Sequence, residues 1–297
     1  MIRGMRRQCV IAGLFVCVAL LAGAQKPKAS IARDPYIGAI VVDADTGKTV
    51  FEERPDVPGY PASTLKLMLL LLIQERIDAG KLSLSNMVSV SVSASKTGGS
   101  QVYLDPRESF SVEDLLYATI IQSANDASVA LAEHVAGSKD AFVKLMNDRA
   151  LELGMKNTRF TSVHGLPPSA GQKHDVSTAR DMATLARELC KHPDIFKYTS
   201  AVYRQLRVGT AKPFDMRTHN PFLKEGLAGC DGFKTGYTSA AGWSIVATAK
   251  RDGRRMIVVV LGSVARKARD AKARELLNAA FAQDVSDKPA ARVAGRE

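Results

Sequence analysis

The segment that decides how this chain folds is Pro61-Ala62-Ser63-Thr64-Leu65-Lys66-Leu67-Met68, and an apolar run continues it to Ile73. A proline before an apolar run is typical of the first turn of a helix. Every residue from Leu65 to Ile73 is apolar except Lys66. A helix that is apolar on all sides belongs in a protein core, and this one is far too short to span a membrane. The segment therefore predicts a buried helix that contains a single lysine.

Lys66 needs a chemical reason to be there, because an unpaired ammonium group is costly to bury. Ser63 and Lys66 are three positions apart, which places both side chains on one face of a helix. Burial lowers the pKa of a lysine, and a neutral amine beside a hydroxyl group can take up its proton. The spacing predicts Ser63 as a nucleophile and Lys66 as its base.

The same spacing occurs a second time, in Ser93-Ala94-Ser95-Lys96. A Ser-x-x-Lys pattern is expected about once by chance in a chain of this length, so spacing alone decides nothing. The second copy lies in a polar stretch that ends in Gly98-Gly99, where we expect no helix to hold the two side chains in register. The context therefore favours the first copy.

The first 24 residues have the composition of a secretory signal peptide. A basic start is followed by an apolar stretch from Val10 to Leu21 and then by small residues at Ala22-Gly23-Ala24. We therefore expect residues 1–24 to be removed and the protein to be exported, to the periplasm or the outer side of the cytoplasmic membrane. The alternative is an uncleaved N-terminal anchor.

The chain of 297 residues is basic, with a formal net charge of +11. A basic excess can indicate nucleic acid, but an exported protein seldom meets it, so we expect no nucleic-acid partner. Anionic polymers of the cell envelope or membrane lipid are the expected non-specific partners, and a merely soluble basic surface is the alternative. Only Cys190 and Cys230 remain after the signal peptide, and the sequence leaves open whether they form a disulfide.

Strand patterns occur at both ends of the mature chain and helical patterns lie between them. This order predicts an α+β fold, in which one antiparallel sheet is built from both chain ends and carries an inserted helical lobe. We expect one domain over residues 25–283 and a polar, disordered tail over 284–297. The predicted strands are Ile37–Val42, Thr49–Glu53, Phe233–Tyr237, Trp243–Ala249 and Met256–Leu261, and a basic helix follows at Ala265–Phe281.

Three short motifs occur in order along the chain: Ser63-x-x-Lys66, Ser123-x-Asn125 and Lys234-Thr235-Gly236. The second begins at a break between two predicted helices, and the third lies on a predicted strand. Lys96-Thr97-Gly98 repeats the third pattern, but within the same polar stretch as the second Ser-x-x-Lys. This trio is typical of penicillin-binding proteins and class A β-lactamases.

With these motifs the chain resembles the serine D-alanyl-D-alanine carboxypeptidases, which are low-molecular-mass penicillin-binding proteins of peptidase family S11. The resemblance extends from about residue 30 to 282 and implies the β-lactamase/transpeptidase-like fold. Further stretches that resemble the family are Gly98-Gly99-Ser100, Ser111–Tyr117, Ser123-Ala124-Asn125-Asp126-Ala127, His164-Gly165-Leu166, Ser177–Met182, Thr218-His219-Asn220 and Asp231–Thr238.

The resemblance implies removal of the terminal D-Ala from peptidoglycan stem pentapeptides through an acyl-enzyme on Ser63. Lys66 would take the serine proton, and Ser123 with Asn125 would pass a proton to the leaving amine. The oxyanion hole would be formed by the backbone N–H groups of Ser63 and Tyr237. The residues expected to bind the substrate are Lys234, Thr235, Gly236, Tyr237 and Arg266.

The resemblance also implies that β-lactam antibiotics acylate the protein and that no cofactor is required. No metal is expected, because the His, Asp and Cys residues show no zinc-like spacing. His164 is expected to be a structural loop residue rather than a base. Two departures from the family pattern are the loop 167–173 and the lack of a counterpart for a second β domain and anchor helix, so membrane association is left open.

Three alternatives to the carboxypeptidase remain at this stage. A D,D-endopeptidase that cleaves peptidoglycan cross-links would share every motif. A β-lactamase of class A would need a glutamate that activates the deacylating water, and residues 164–174 contain none. A non-catalytic wall-binding protein would have no need to keep the three motifs intact. We expect the carboxypeptidase.

Overall fold

The computed structural model describes residues 30–286, together with Met1. The predicted signal peptide at residues 1–24 and the end of the predicted tail, residues 287–297, lie outside this part of the chain. Nine strands are present in the described part: β1 (Gly38–Asp43), β2 (Thr49–Glu53), β3 (Met87–Ser89), β4 (Ser109–Ser111), β5 (Tyr203–Leu206), β6 (Phe214–Arg217), β7 (Cys230–Thr238), β8 (Gly242–Arg251) and β9 (Arg254–Ser263).

The central sheet has five antiparallel strands in the order β2-β1-β9-β8-β7. Strand β1, near the start of the described chain, pairs with β9, with Val41 opposite Val258. The sheet is therefore built from both ends of the chain, as predicted. Two small hairpins, β3-β4 and β5-β6, lie outside it.

Nine α-helices occur between residues 30 and 286, and most of them lie between the two strand-forming regions. They are α1 (Lys66–Asp78), α2 (Val92–Ser95), α3 (Val112–Ile121), α4 (Asn125–Ala136), α5 (Lys139–Glu152), α6 (Ala179–Leu189), α7 (Phe196–Thr199), α8 (Pro221–Lys224) and α9 (Arg266–Ser286).

The sheet is covered on both faces, which explains why β8 and β9 are apolar along most of their length. On one face Val41, Ile245 and Val258 pack with Leu277 of α9. The opposite face, which includes Val259, joins a larger core with α1 and the helical lobe. Helix α1 is at the centre of that core, because its residues from Leu67 to Leu71 are all 0 % exposed. The apolar run around Lys66 therefore forms the buried helix that the sequence predicted.

Three details differ from the expectations. The polar stretch around Ser93 does form a helix, α2, because Ser91 caps it by accepting a hydrogen bond from the Ala94 amide. The sequence predicts Ser177 as the cap of a helix from Thr178 to Lys191, but the cap of α6 is Thr178, which accepts a hydrogen bond from the Asp181 amide at 3.1 Å. Helix α9 continues to Ser286, beyond the predicted end at Phe281.

Cys190 and Cys230 are both free thiols in this structure, and burial raises the pKa of Cys190 to about 12 and that of Cys230 to about 11. Within residues 30–286, no helix combines the length and the apolar character needed to cross a membrane.

Candidate active site

Ser63 lies on a tight turn that leads into α1. Residues Ala62–Leu65 form a short 3-10 helix, and Thr64 closes it by donating its side-chain hydroxyl to the Pro61 carbonyl at 2.7 Å. Ala62 has a φ of 48°, an unusual value for a residue with a side chain. Such strain is typically kept where the surrounding structure fixes the position of a functional group.

Lys66 is completely buried, and its ammonium nitrogen has three neighbours within hydrogen-bond distance. Its Nζ lies 3.0 Å from Ser63 Oγ, 2.8 Å from Asn125 Oδ1 and 2.9 Å from the His164 carbonyl oxygen. The predicted pairing of Ser63 with Lys66 is therefore present, and the first two motifs are brought together by direct contact.

The orientation of the Asn125 side chain follows from its other neighbour. Its Nδ2 donates to the Gly98 carbonyl at 2.8 Å, which leaves Oδ1 to face Lys66. The Asn125 amide oxygen and the His164 carbonyl can only accept hydrogen bonds. When Lys66 is neutral, its two N–H groups are held by these two acceptors, and its lone pair points at Ser63 Oγ. The hydroxyl of Ser63 is then the proton donor of the pair.

The electrostatic environment favours the neutral amine. Burial, and next the positive charge of Lys234, hold the pKa of Lys66 well below its usual value. The His164 imidazole is a weaker base than an ordinary histidine, because burial lowers its pKa to about 4. Its Nδ1 accepts from the Leu166 amide at 3.1 Å, so the imidazole supports the loop while its carbonyl holds Lys66.

Ser123 and Lys234 belong to the two other motifs, and both are almost completely buried, at 3 % and 2 % exposure. Ser123 precedes α4 and has a φ of 60°, a second strained residue in the site. Lys234 lies on β7 and donates to the Thr235 carbonyl at 3.1 Å. Burial, with the nearby charge of Arg269, lowers the pKa of Lys234 to about 7. A carboxylate arriving at this lysine would stabilise its charged form.

Gly236 is the point where β7 contacts the turn that carries Ser63. A Cβ atom on Gly236 would lie 2.8 Å from the Pro61 carbonyl oxygen and 3.1 Å from the Ser63 amide nitrogen. The third motif ends in glycine because no side chain fits between the strand and the nucleophile turn.

A pocket of about 260 Å³ opens beside these groups. Its walls include both motif serines and four of the five residues that the sequence assigned to substrate binding, namely Thr235, Gly236, Tyr237 and Arg266. It is also lined by residues that the sequence analysis did not assign a role: Ser100, His219, Lys224, Trp243 and Arg269.

Arg269 is the most informative of these additional residues, because its side chain is large, charged and 1 % exposed. Its Nε donates to Asp270 at 2.7 Å and its Nη1 to the Ser244 carbonyl at 3.1 Å. The guanidinium lies over the Trp243 ring, which stacks on Tyr237 at 3.9 Å between centroids. The sequence carries only part of the signal: Arg266 and Arg269 are spaced to share one face of α9, but this spacing does not show that Arg269 is buried.

One group of possible metal ligands occurs elsewhere among the described residues: Glu75, Glu188 and His192. The guanidinium of Arg149 pairs with both glutamates, at 2.7 and 3.1 Å. Both carboxylates are thus already paired with a cationic side chain, and Glu188 is also paired with Lys191.

Residues 26–265 match the family model for the D-alanyl-D-alanine carboxypeptidases of peptidase family S11. The chain belongs to this family. It is 41 % identical over 245 residues to the D-alanyl-D-alanine carboxypeptidase DacF of Bacillus subtilis, an alignment that covers 82 % of this chain and 62 % of that protein. The chain thus spans less than two thirds of the length of this relative.

Solved structures of the family share the fold. Penicillin-binding protein 5 of Haemophilus influenzae matches with a TM-score of 0.77 and 32 % identity, covering 88 % of this chain and 73 % of that one. The ampicillin-bound penicillin-binding protein D2 of Listeria monocytogenes matches with a TM-score of 0.73 and 30 % identity, covering 86 % of this chain and all of that one. The predicted β-lactamase/transpeptidase-like fold is confirmed.

Proposed function

We propose that this protein is a serine D-Ala-D-Ala carboxypeptidase that removes the terminal D-Ala from peptidoglycan stem pentapeptides. The observation that carries the proposal is the geometry around Lys66. Two obligate acceptors, Asn125 Oδ1 and the His164 carbonyl, leave the amine lone pair facing Ser63 Oγ at 3.0 Å. A buried neutral lysine placed in this way is equipped to activate a serine.

The first half of the reaction forms the acyl-enzyme. Ser63 Oγ attacks the carbonyl carbon of the D-Ala–D-Ala bond while its proton moves to Lys66 Nζ. The backbone N–H groups of Ser63 and Tyr237 stabilise the oxyanion that develops. Collapse of the tetrahedral intermediate breaks the C–N bond. Lys66 passes its proton through Ser123 to the leaving amine and becomes neutral again.

The second half regenerates the enzyme. A water molecule attacks the ester carbonyl, giving up a proton to the neutral amine of Lys66. The Ser63–acyl bond breaks, the shortened peptide leaves as its carboxylic acid, and Ser63 Oγ recovers a proton from Lys66. No group other than the chain's own residues and water takes part in this cycle.

The leaving D-Ala carries a carboxylate, and the pocket next to Ser63 matches that charge. Lys234, Thr235 and Arg266 are the proposed partners of this carboxylate, and Arg269 adds a fixed positive charge behind them. Charge-assisted hydrogen bonds of this kind are about twice as strong as neutral ones. The same pocket would receive the carboxylate of a β-lactam, whose strained amide would acylate Ser63.

The relatives support this proposal. The Bacillus protein is named as a D-alanyl-D-alanine carboxypeptidase, and the Listeria protein was solved in ampicillin-bound and cefotaxime-bound forms. Substrates of this kind are found in the cell envelope, so the proposal includes export guided by residues 1–24.

The test is D-alanine release from a synthetic pentapeptide that ends in D-Ala-D-Ala, using residues 25–297 beside the Ser63→Ala variant. Steady release that disappears in the variant would support the carboxypeptidase. No release from the intact protein would refute it. Release of a stem peptide from cross-linked muropeptides alone would indicate an endopeptidase, and rapid turnover of penicillin would indicate a β-lactamase.

A further inference from the structure

A second cavity, of about 690 Å³, lies next to the active site and has no part in the mechanism described above. It is bounded by the end of α2, the start of α5 and the loop that follows His164. We call it the basic groove, because four cationic side chains from four separate segments line it: Lys96, Lys139, Arg159 and Lys173.

The charge of the basic groove is largely unbalanced. Asp140 is the one acidic residue among the described residues that line it. No ion pair is recorded between residues 30 and 286 for any of the four cations, whereas arginines elsewhere, such as Arg149 and Arg207, pair with carboxylates. Four unpaired cations around one cavity create a positive potential that attracts an anionic ligand.

The basic groove and the active site share a wall. Gly98 lines the groove, and its carbonyl accepts from Asn125 Nδ2 at 2.8 Å. His164 also lines the groove, and its carbonyl accepts from Lys66 at 2.9 Å. Gly99 lies between Asn125 and Leu166, and a Cβ atom there would lie 2.7 and 2.9 Å from them. Gly98 and His164 therefore contact the Lys66–Asn125 pair and the basic groove at the same time.

We infer that the basic groove binds carboxylates carried by the part of the stem peptide that precedes the D-Ala–D-Ala bond. This inference rests on the proposed function and names the substrate feature that the enzyme prefers. In the proposed mechanism the terminal carboxylate is held in the other pocket, which is lined by Ser63 and Arg266 and shares no lining residue with the basic groove. Two or three extended residues span roughly 7–10 Å, which carries an upstream acidic residue beyond Leu166 and into the groove. The substrate would therefore be held by its charges on both sides of the scissile bond.

The experiment compares two pentapeptides of equal length. One is acetyl-Ala-γ-D-Glu-Lys(acetyl)-D-Ala-D-Ala, which has a free carboxylate on the glutamyl residue. The other is its analogue with that carboxylate converted to a carboxamide. The measured quantity is the ratio of the two kcat/KM values, called the carboxylate preference. Exposed charge pairs make only modest contributions to binding, so we expect a preference of about threefold to tenfold at low salt.

Substitutions then assign the preference to the groove. The double variant Lys139→Gln/Lys173→Gln should reduce the preference to about one, and Asp140→Asn should increase it. Lys250→Gln is the matched control, because Lys250 is an exposed lysine on β8 that lies outside the basic groove. Added salt should weaken the preference of the intact protein.

The outcomes separate this inference from the proposed function. Equal kcat/KM values for the two peptides, or a double variant that lowers both values by the same factor, would overturn the groove as a carboxylate site while the carboxypeptidase stands. A loss of preference in Lys250→Gln would show a general charge effect and would also overturn it. No D-alanine release from either peptide would remove the proposed function and this inference together.

Discussion

Two segments of this chain carry the same sequence pattern and have different surroundings. The nucleophile segment 61–68 contains Ser63-x-x-Lys66, and the segment 93–98 contains Ser93-x-x-Lys96 followed by Thr97-Gly98. Both include a short helical turn. Lys66 is 0 % exposed and has three polar neighbours, whereas Lys96 is exposed to solvent. The comparison teaches that the same spacing can give a buried Ser-Lys contact or an exposed one, and that burial and two obligate acceptors distinguish the pair proposed as nucleophile and base.

The largest expected effect concerns the two serines. Ser63→Ala should abolish covalent labelling by a fluorescent penicillin, because no oxygen remains to form the ester. Ser93→Ala should be labelled like the intact protein, because Ser93 is an exposed residue of α2. The measurement is the fluorescence of the protein band after denaturing electrophoresis. Persistent labelling of Ser63→Ala would show that another residue is the nucleophile.

The second largest effect is expected on substitution of Lys66, the proposed base. Lys66→Gln keeps a polar side chain of similar length but cannot accept a proton, so the rate of acylation by penicillin should fall by about 10²–10⁴-fold. Folding should be checked by the midpoint of thermal unfolding. A fall of less than tenfold in a folded variant would mean that Lys66 is not the base and that its burial serves another purpose.

The dependence of kcat/KM on pH should report the protonation states of the two buried lysines, Lys66 and Lys234. Lys66 must be neutral to act, so kcat/KM should fall at acidic pH, as this amine gains its proton. Lys234, with a pKa of about 7, must be charged to attract the terminal carboxylate, so kcat/KM should also fall as pH rises above that value. Each limb should approach a tenfold loss per pH unit. The alkaline limb should move to higher pH in Lys234→Arg, because arginine keeps its charge. An unchanged limb would exclude Lys234 as its source.

The smallest expected effect concerns the two glycines that close the Lys-Thr-Gly patterns. A Cβ atom on Gly236 would lie 2.8 Å from the Pro61 carbonyl oxygen, whereas one on Gly98 would meet nothing within 4 Å. Gly236→Ala should lower the free energy of unfolding by about 1–3 kcal/mol, and Gly98→Ala should change it by less than about 0.5 kcal/mol. Urea denaturation measures both. Equal changes in the two variants would contradict the close packing of β7 against the nucleophile turn.

The sequence predicted much of the fold because its patterns are local. The apolar run after Lys66 predicted a buried helix. The strand patterns predicted a sheet built from both ends of the chain. Both predictions are confirmed. The helix at Val92–Ser95 was missed, because a single capped turn has too few residues to show a period. The assignment of residues 1–24, of the domain limits and of catalytic roles stays a prediction.

The site was predictable only in part for a related reason. Motif spacing identified Ser63, Lys66 and Ser123, but spacing carries no information about backbone atoms from distant segments. The His164 carbonyl that holds Lys66 comes from residues far along the chain. Arg269 was missed because its burial depends on the packing of α9 against the sheet, which a pattern on the helix alone does not reveal.

The pairing of β1 with β9 determines at which stage of synthesis the central sheet can form. Ser63, Lys66, Ser123 and Asn125 all leave the ribosome before β7 and β9 exist, yet β1 has no partner on its inner edge until β9 is synthesised. Pairings between distant segments form late. A nascent chain therefore carries Ser63 without the completed sheet that positions it until β9 has been synthesised.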